Sequence, residues 1–323
     1  MEIKIIIIVA CSTVGLIILM LFAIAFLSDK LLFGNRSEKN PLLKYFTAKD
    51  FNLSAQPVSL PKGLNGLIYR KTDIPQNDKL IIFCHGMGPG HVAYTTEIAC
   101  FCNFGYSVLA VDNKGCNLSE GKNMQGMYSG VQTAISAIDF AKGNGYNNII
   151  LVGHSWGAYS ALCASKKRKV SKVVAISAPN TPATMIGEGV LSVKALPRPL
   201  VVLLHPFWWL VNFLKYGAKG NSSASKCARK SGIPTLLIHG DSDRIVTLKK
   251  SAFNRAKGEN IKKLLAEGKV HNPYNTENAE IQLSSLSEKL RKNQFAELMT
   301  FDFKAATEED ERVMQEILNF IES

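Results

Sequence analysis

The sequence lacks the cysteine and histidine patterns of a metal or redox site. None of its seven cysteines belongs to a C-x-x-C pair or stands at a metal-type spacing from a histidine. We therefore expect no metal and no cofactor. Cys11 lies in an apolar stretch, and the other six cysteines fit free thiols in a reducing compartment. The alternative of three disulfides in an exported domain stays open at this point.

Nucleic-acid motifs, internal repeats and low-complexity tracts are also missing. The formal net charge is +12 over 323 residues. No basic stripe is interleaved with aromatic residues, so no nucleic-acid partner is predicted. Basic residues that follow a membrane segment can face anionic headgroups. This explains the positive net charge more simply than a nucleic-acid partner does.

A long uncharged run opens the chain. No charged residue occurs from Ile5 to Leu27, and about 20 apolar residues cross a bilayer as a helix. A signal peptide has a shorter apolar stretch of about 7 to 15 residues and a small-residue cleavage site, for which Ala23 to Ala25 is a poor match. The length favours an uncleaved, single-pass transmembrane anchor over residues 1–30.

The charges that flank this run predict its orientation. Only Lys4 precedes the run among basic residues, whereas four follow it closely: Lys30, Arg36, Lys39 and Lys44. Cytoplasmic loops carry the excess of Lys and Arg. We therefore expect a membrane protein whose C-terminal domain lies on the cytoplasmic side, joined to the anchor by a polar, basic linker over residues 31–50.

Short apolar runs alternate with helical stretches from Lys79 onward. The runs read KLIIFC, SVLAVD, NNIILV, KVVAIS, PTLLIH and IKKLLA. The helical stretches are Ala93–Asn103, Ser129–Lys142, Ala158–Lys167 and Leu248–Lys257. Runs that are apolar throughout are typical of strands buried on both faces of a parallel sheet. With a hairpin pair near residues 51–71, the pattern predicts an α/β fold around a mostly parallel, roughly eight-stranded sheet. Residues 308–321 predict a last amphipathic helix.

An insertion of about fifty residues, from Asn180 to Gly232, interrupts the alternation. It is longer than the usual crossover and predicts a helical cap at about 180–232, over the C-terminal edge of the sheet. Pro206 is expected to divide its apolar centre into two short elements. The centre carries four aromatic residues: Phe207, Trp208, Trp209 and Phe213. Two interpretations stay open for them, simple burial and an acyl pocket or membrane-dipping lid.

Residues that can do chemistry follow the apolar runs directly. HGMG begins at His85, GHSWG at Gly153 and HGDSD at His239, and His271 follows IKKLLAEGKV. Ligands of an open parallel sheet bind beyond the carboxyl ends of its strands, so these residues should meet there. G-x-S-x-G alone is a weak signal, but here it follows a predicted strand and opens a predicted helix, the context that the motif requires.

These motifs resemble an α/β-hydrolase over Phe51 to Ser323, of the esterase, lipase or serine aminopeptidase kind. In that family the triad follows the chain order Ser, Asp or Glu, His. The resemblance implies that Ser155 is the nucleophile, that His271 is the general base and then acid, and that Asp243 orients the imidazolium. Asp241 is the alternative acid, and the family spacing selects Asp243.

The resemblance also implies an oxyanion hole. Its two donors would be the backbone N–H groups of Trp156, directly after the nucleophile, and of Met87, in the loop after an earlier strand. The remaining histidines of these motifs are expected to pack behind the site, and His154 is expected to pack or to form a hydrogen bond near the turn of Ser155.

The leading hypothesis is a membrane-anchored serine hydrolase that cleaves an ester, thioester or amide through an acyl-enzyme. Its partners would be a small acyl substrate, lipid-like if the cap forms an acyl pocket, and the membrane. An acyltransferase, a peptidase and a non-catalytic binding protein of the same fold are the alternatives. A dehalogenase-like reaction is disfavoured, because Ser155 and not aspartate occupies the nucleophile position.

Overall fold

The structure, a computed structural model, describes residues 2–323. Eight strands in this part of the chain form one sheet: β1 (Ser54–Leu60), β2 (Leu64–Arg70), β3 (Leu80–Cys84), β4 (Ser107–Val111), β5 (Ile149–His154), β6 (Lys172–Ile176), β7 (Thr235–Gly240) and β8 (Ile261–Ala266). Its helices are α1 (Glu2–Phe33), α2 (Thr95–Asn103), α3 (Met127–Gly143), α4 (Trp156–Ser165), α5 (Pro182–Ser192), α6 (Arg198–Tyr216), α7 (Ala224–Ser231), α8 (Ala252–Arg255), α9 (Glu277–Arg291) and α10 (Glu311–Glu322).

The sheet has the order β1-β2-β4-β3-β5-β6-β7-β8. Strands β3 to β8 run parallel, whereas β1 and β2 form an antiparallel hairpin that joins the sheet beside β4. The predicted α/β fold with a mostly parallel, eight-stranded sheet is confirmed. Because β3 to β8 point the same way, the segments that follow them meet at one edge of the sheet.

Helices cover both faces of the sheet. Alternate residues of a strand point to opposite faces, so Leu80 and Ile82 of β3 pack on the α3 and α4 side, while Ile81 and Phe83 pack against α2 and α10. The apolar face predicted for the last helix is buried in α10: Val313, Met314, Ile317, Leu318 and Ile321. Helix α9 is not predicted by the sequence pattern, because only Ala279 and Leu286 of it are buried.

The cap is formed by α5, α6 and α7, between β6 and β7. The predicted break at Pro206 is wrong, since α6 continues through this residue. Proline removes one hydrogen bond, to the carbonyl group four residues earlier. Both Pro206 and Val202 are exposed, so water or another polar environment can solvate the freed carbonyl group and the helix does not end.

Helix α1 is long and apolar enough to cross a membrane, by length and composition. It extends to Phe33, beyond the predicted end of the anchor at residue 30. Its last turns are packed on the domain, with Ala25 and Phe33 buried. Met124 N donates to Phe33 O at 3.0 Å, and Ser37 N donates to Gly115 O at 2.9 Å. The start of the predicted linker is therefore fixed to the domain.

The cysteines of the chain are all free. Five of the six in the domain are buried, with Cys84 at the carboxyl end of β3, and Cys100 on α2 is half-buried. No disulfide is formed within residues 2–323.

Candidate active site

Ser155 occupies a sharp turn between β5 and α4. Its backbone has φ 52° and ψ −116°, a conformation that side-chain-bearing residues rarely adopt. The two flanking glycines are required by close packing. A Cβ atom on Gly157 would lie 1.8 Å from the carbonyl oxygen of Cys84, and one on Gly153 would lie 2.6 Å from the carbonyl carbon of Gly157. The turn thus explains why G-x-S-x-G occurs here.

Asp243 and His271 form a hydrogen-bonded pair at the same edge of the sheet. His271 Nδ1 lies 2.8 Å from Asp243 Oδ2. The other carboxylate oxygen, Oδ1, accepts from the backbone N–H groups of Ile245 at 2.8 Å and Val246 at 2.9 Å. Burial favours the neutral carboxyl group, but the hydrogen bond and the charge of His271 outweigh it and hold the pKa of Asp243 below its ordinary value. The ionised carboxylate can orient the imidazole ring.

Asp241, the alternative acid, has a different role in the structure. Its side chain is exposed, and its Oδ1 accepts from Gly268 N at 2.9 Å and from the Ser242 hydroxyl at 3.0 Å. These bonds hold the turn after β8. The geometry therefore brings His271 to Asp243 and leaves Asp241 in a local turn.

Ser155, the nucleophile candidate, follows His154, whose Nε2 lies 2.9 Å from the carbonyl oxygen of His271, and it forms no hydrogen bond to this pair within residues 2–323. Within residues 2–323, His271 bonds to Asp243 and not to the hydroxyl of Ser155. Ser155 is buried, and the His271 side chain is 12% exposed. Catalytic hydrogen bonds are often long without substrate and tighten in the substrate complex, so this geometry is compatible with a serine and its base.

The two expected oxyanion donors occupy suitable elements. Trp156 is the first residue of α4, and N–H groups in the first turn of a helix have no partner within the helix. Its indole ring is buried and donates through Nε1 to Met127 O at 2.9 Å. Met87 follows β3, whose Cys84 is paired with Gly153 of β5. The loop of Met87 therefore stands beside the turn of Ser155.

A chain of three hydrogen bonds connects the loops of this site. Gly86 N donates to the Tyr94 hydroxyl at 3.1 Å, the hydroxyl lies 3.0 Å from His154 Nδ1, and His154 Nε2 lies 2.9 Å from the carbonyl oxygen of His271. Burial, and then the charge of His271, lower the pKa of His154 to about 3. A neutral ring donates once, so Nε2–H donates to His271 and Nδ1 accepts from Tyr94.

This connection includes a residue that sequence reasoning missed. The structure contains the hydrogen bond that was expected for His154 near the turn. Tyr94, in contrast, belongs to no sequence motif. Tyr94 lies in a short 3₁₀ turn before α2. No spacing rule relates it to its two partners, and only the pairing of β3 with β5 brings them together.

Replacement of Tyr94 by phenylalanine is expected to lower kcat/KM by roughly tenfold. The hydroxyl accepts from one backbone N–H and donates to one histidine, and a buried hydrogen bond contributes about 0.5–1.5 kcal/mol. Steady-state kinetics measure the loss, and thermal unfolding shows that the variant is folded. The replacement Tyr146→Phe, at a tyrosine that bonds Arg70 away from this site, is the control. Equal activity of both variants would contradict a positioning role.

Two half-buried glutamate side chains, Glu97 and Glu309, lie behind the loop of His271. Tyr274 packs edge-on against the His154 ring at 5.4 Å between centroids. Burial raises the pKa of Glu97, and the neighbouring Tyr274 opposes this shift. Burial, followed by the charge of Glu97, also raises the pKa of Glu309. Glu309 Oε1 is shielded from solvent and has no hydrogen-bond partner among residues 2–323.

The raised pKa of Glu309 predicts a pH-dependent stability. A group whose pKa is higher in the folded state stabilises fully below its unfolded value, here 4.5, and this contribution declines as the pH rises above it. Glu309→Gln should therefore lose less stability than the wild type between pH 5 and pH 8, as measured by thermal unfolding in detergent. The exposed Glu311→Gln is the control. A wild-type slope in the Glu309 variant would refute the assignment.

The structure and the comparisons with known proteins agree on the fold. A family model described as "Serine aminopeptidase, S33" matches residues 75–212. A crystal structure of an esterase from Pyrococcus furiosus is similar at 19% identity, with 81% of this chain and 98% of that chain covered and a TM-score of 0.57. A second crystal form of that esterase gives 20% identity, 81% and 96% coverage and a TM-score of 0.56. No curated protein matches the chain by sequence.

These findings define the fold of the protein. The chain has the α/β-hydrolase fold, as the resemblance of its motifs implied. The segment that matches the hydrolase family model contains Ser155 and the loop of Met87, and Asp243 and His271 follow it in the chain. Within residues 2–323, no group of three or more His, Cys, Asp or Glu side chains is placed to hold a metal ion.

Proposed function

We propose that the protein is a membrane-anchored serine hydrolase that cleaves a carboxylic ester through an acyl-enzyme. The observation that carries the proposal is the hydrogen bond of 2.8 Å between Asp243 and His271, at the edge of the sheet where Ser155 occupies its strained turn. An ester is favoured over an amide because the similar solved structure is described as an esterase.

In the proposed mechanism, Ser155 Oγ attacks the carbonyl carbon and His271 Nε2 accepts its proton. Asp243 stabilises the imidazolium and keeps the proton on Nδ1. The backbone N–H groups of Met87 and Trp156 bind the oxyanion of the tetrahedral intermediate. His271 then donates its proton to the leaving alcohol, and a water molecule, activated by the same ring, releases the acid from Ser155.

Labelling of the detergent-solubilised, full-length protein with a fluorophosphonate tests this function. The expected result is one label per chain and loss of p-nitrophenyl ester hydrolysis in proportion to labelling. Heat-denatured protein is the control and should not react. A folded protein that fails to react would support the non-catalytic alternative. Faster cleavage of aminoacyl p-nitroanilides than of esters would support a peptidase.

We further propose that α1 anchors the domain to the cytoplasmic side of a membrane. The support is the length and apolar composition of α1 and the basic residues that follow it. A cysteine placed at the exposed Asn278 of α9 should react with a membrane-impermeant maleimide only after cell lysis. The wild type measures the reaction of the native thiols. Labelling of Asn278→Cys in intact cells would reverse the orientation.

A further inference from the structure

The outward side of α6 is apolar over its whole length from Val202 to Leu214. Seven residues of this stretch are exposed, and none is polar: Val202, Leu203, Pro206, Trp209, Leu210, Phe213 and Leu214. They recur at spacings of three and four, so they share one side of the helix, called here the α6 face. Large contiguous apolar patches are rare on soluble monomers and mark interaction sites. The α6 face therefore requires a partner.

The α6 face points away from the domain because the opposite side of the helix is packed into the cap. Leu204, Trp208 and Val211 are buried in the cap. On the α6 face itself, the rings of Trp209 and Phe213 are stacked, with centroids 5.2 Å apart and planes inclined by 11°. The cap thus buries Trp208 and leaves Trp209 exposed. Simple burial therefore describes Trp208, and the interpretation of a membrane-dipping lid stays open for Trp209.

Helix α6 packs against the end of α1. Trp208 Nε1 donates to Ser28 Oγ at 2.7 Å, and the Lys215 ammonium group pairs with the buried Asp29 carboxylate. Leu21 and Ile24 of the apolar run are also half-buried against the same core. The cap therefore lies alongside the last turns of the segment that is proposed to cross the membrane.

The length of α1 gives the level of this contact relative to a bilayer. A hydrocarbon core of about 30 Å requires about 20 helical residues at 1.5 Å each. Counted from Ile5, the core ends near Ile24, so the part of α1 from Ala25 to Phe33, with α6 beside it, lies at the level of the lipid headgroups. Tryptophan is enriched at this level, because its ring is apolar and its N–H group is polar.

The charge of the cap fits an anionic lipid surface. Seven basic residues occur in the cap: Lys194, Arg198, Lys215, Lys219, Lys226, Arg229 and Lys230. Its one acidic residue, Glu188, is buried and pairs with Lys250 at 2.8 Å. Each basic residue near an anionic membrane contributes about 1 kcal/mol to binding. A second copy of the chain on the α6 face would instead place two basic caps against each other.

An apolar groove lies between the membrane segment and the cap. It has a volume of about 610 Å³ and lies between α1 and the end of α5, lined by Ile24, Leu27, Leu31, Val190 and Leu196 among others. The groove opens at the level assigned to the bilayer surface and is mainly apolar. The apolar part of this lining is suited to an acyl chain of a surrounding lipid.

We propose that the α6 face is seated in the surface of the same bilayer that α1 crosses, so that lipid covers it. The proposal rests on the proposed anchoring by α1. It also places the catalytic site close to the membrane, because the Phe33 ring at the end of α1 contacts the Trp156 ring edge-on at 5.8 Å, and Trp156 follows the proposed nucleophile.

The tryptophans of the chain allow a direct test with the full-length protein. Of the three, Trp156 and Trp208 are completely buried and Trp209 is 49% exposed. The protein is reconstituted in vesicles of phosphatidylcholine and phosphatidylglycerol, with the phosphatidylcholine brominated near the headgroup end of its acyl chains. Brominated lipid should quench the tryptophan fluorescence of the wild type. The same lipid should quench the fluorescence of Trp209→Phe much less. Aqueous acrylamide should quench the Trp209 emission only weakly.

Each other outcome overturns the proposal. Strong acrylamide quenching of Trp209 without lipid quenching would show that the α6 face is in water. Protection from both quenchers would show that protein covers it. If the chain does not float with the vesicles in a density gradient, the anchoring by α1 fails, and the proposal fails with it. Fluorophosphonate labelling of the same vesicles reports the hydrolase function separately, since the fluorescence measurement requires no turnover.

Discussion

Ser155→Ala is expected to abolish fluorophosphonate labelling and to lower ester turnover by about 10⁴-fold or more. The substitution removes the atom that would form the acyl-enzyme, and only binding and oxyanion stabilisation remain to accelerate the reaction. Methyl-sized alanine fits the turn as serine does, so the fold should be retained. Labelling followed by gel fluorescence and steady-state ester hydrolysis measure the two effects.

A matched serine on the adjoining helix provides the control. Ser165 is also buried, but its hydroxyl bonds to Leu162 O at the end of α4, away from the carboxyl edge of the sheet. Ser165→Ala should label and turn over ester like the wild type. Full labelling of Ser155→Ala would contradict the assignment of the nucleophile, whatever the other serines do.

The sheet could be predicted because its signal is local and redundant. Strands β3 to β7 are buried on both faces, so each appears in the sequence as an apolar run, and the helices between them fix the parallel arrangement. Helix α9 lacked this signal, since its buried residues are too few to produce a periodicity. The course of α6 through Pro206 was not predicted, because a proline within a helical pattern is typical of a break, whereas the structure continues the helix there.

The end of α1 shows a second kind of limit. Ser28 and Asp29 mark a polar end of the apolar run, and the sequence therefore predicts that the anchor stops near residue 30. In the fold these two side chains pair with Trp208 and Lys215 on α6. Partners so distant in the chain have no common spacing, and only the three-dimensional packing shows that the helix continues onto the domain.

The candidate site contains residues that the sequence could indicate and residues that only the fold brings together. Ser155, Asp243 and His271 lie in short motifs whose glycines and spacing reflect local backbone geometry, and the sequence could therefore indicate them. Tyr94 contributes through hydrogen bonds that join separate loops. Its residue type is common and its neighbours in the chain form no motif, so the sequence could not indicate it.

Substitutions of the proposed base and of the two candidate carboxylates should lower kcat by different amounts. His271→Ala is expected to lower kcat by about 10⁴-fold or more, since no other group near Ser155 is assigned to take its proton. Asp243→Asn should cost somewhat less, about 10³–10⁴-fold. Asp241→Asn should change kcat by less than about threefold, because its side chain holds only the exposed turn after β8.

The structure gives a reason for the expected effect of Asp243→Asn. Asp243 Oδ1 accepts from two backbone N–H groups, those of Ile245 and Val246. An asparagine must keep its carbonyl oxygen at that position, because its NH₂ group cannot accept these bonds. The NH₂ group then points to His271 Nδ1 and donates to it, which selects the tautomer with the proton on Nε2. Such a ring cannot accept the Ser155 proton. Kinetics of the two aspartate variants test this directly, and a larger loss in Asp241→Asn than in Asp243→Asn would transfer the role of the acid to Asp241.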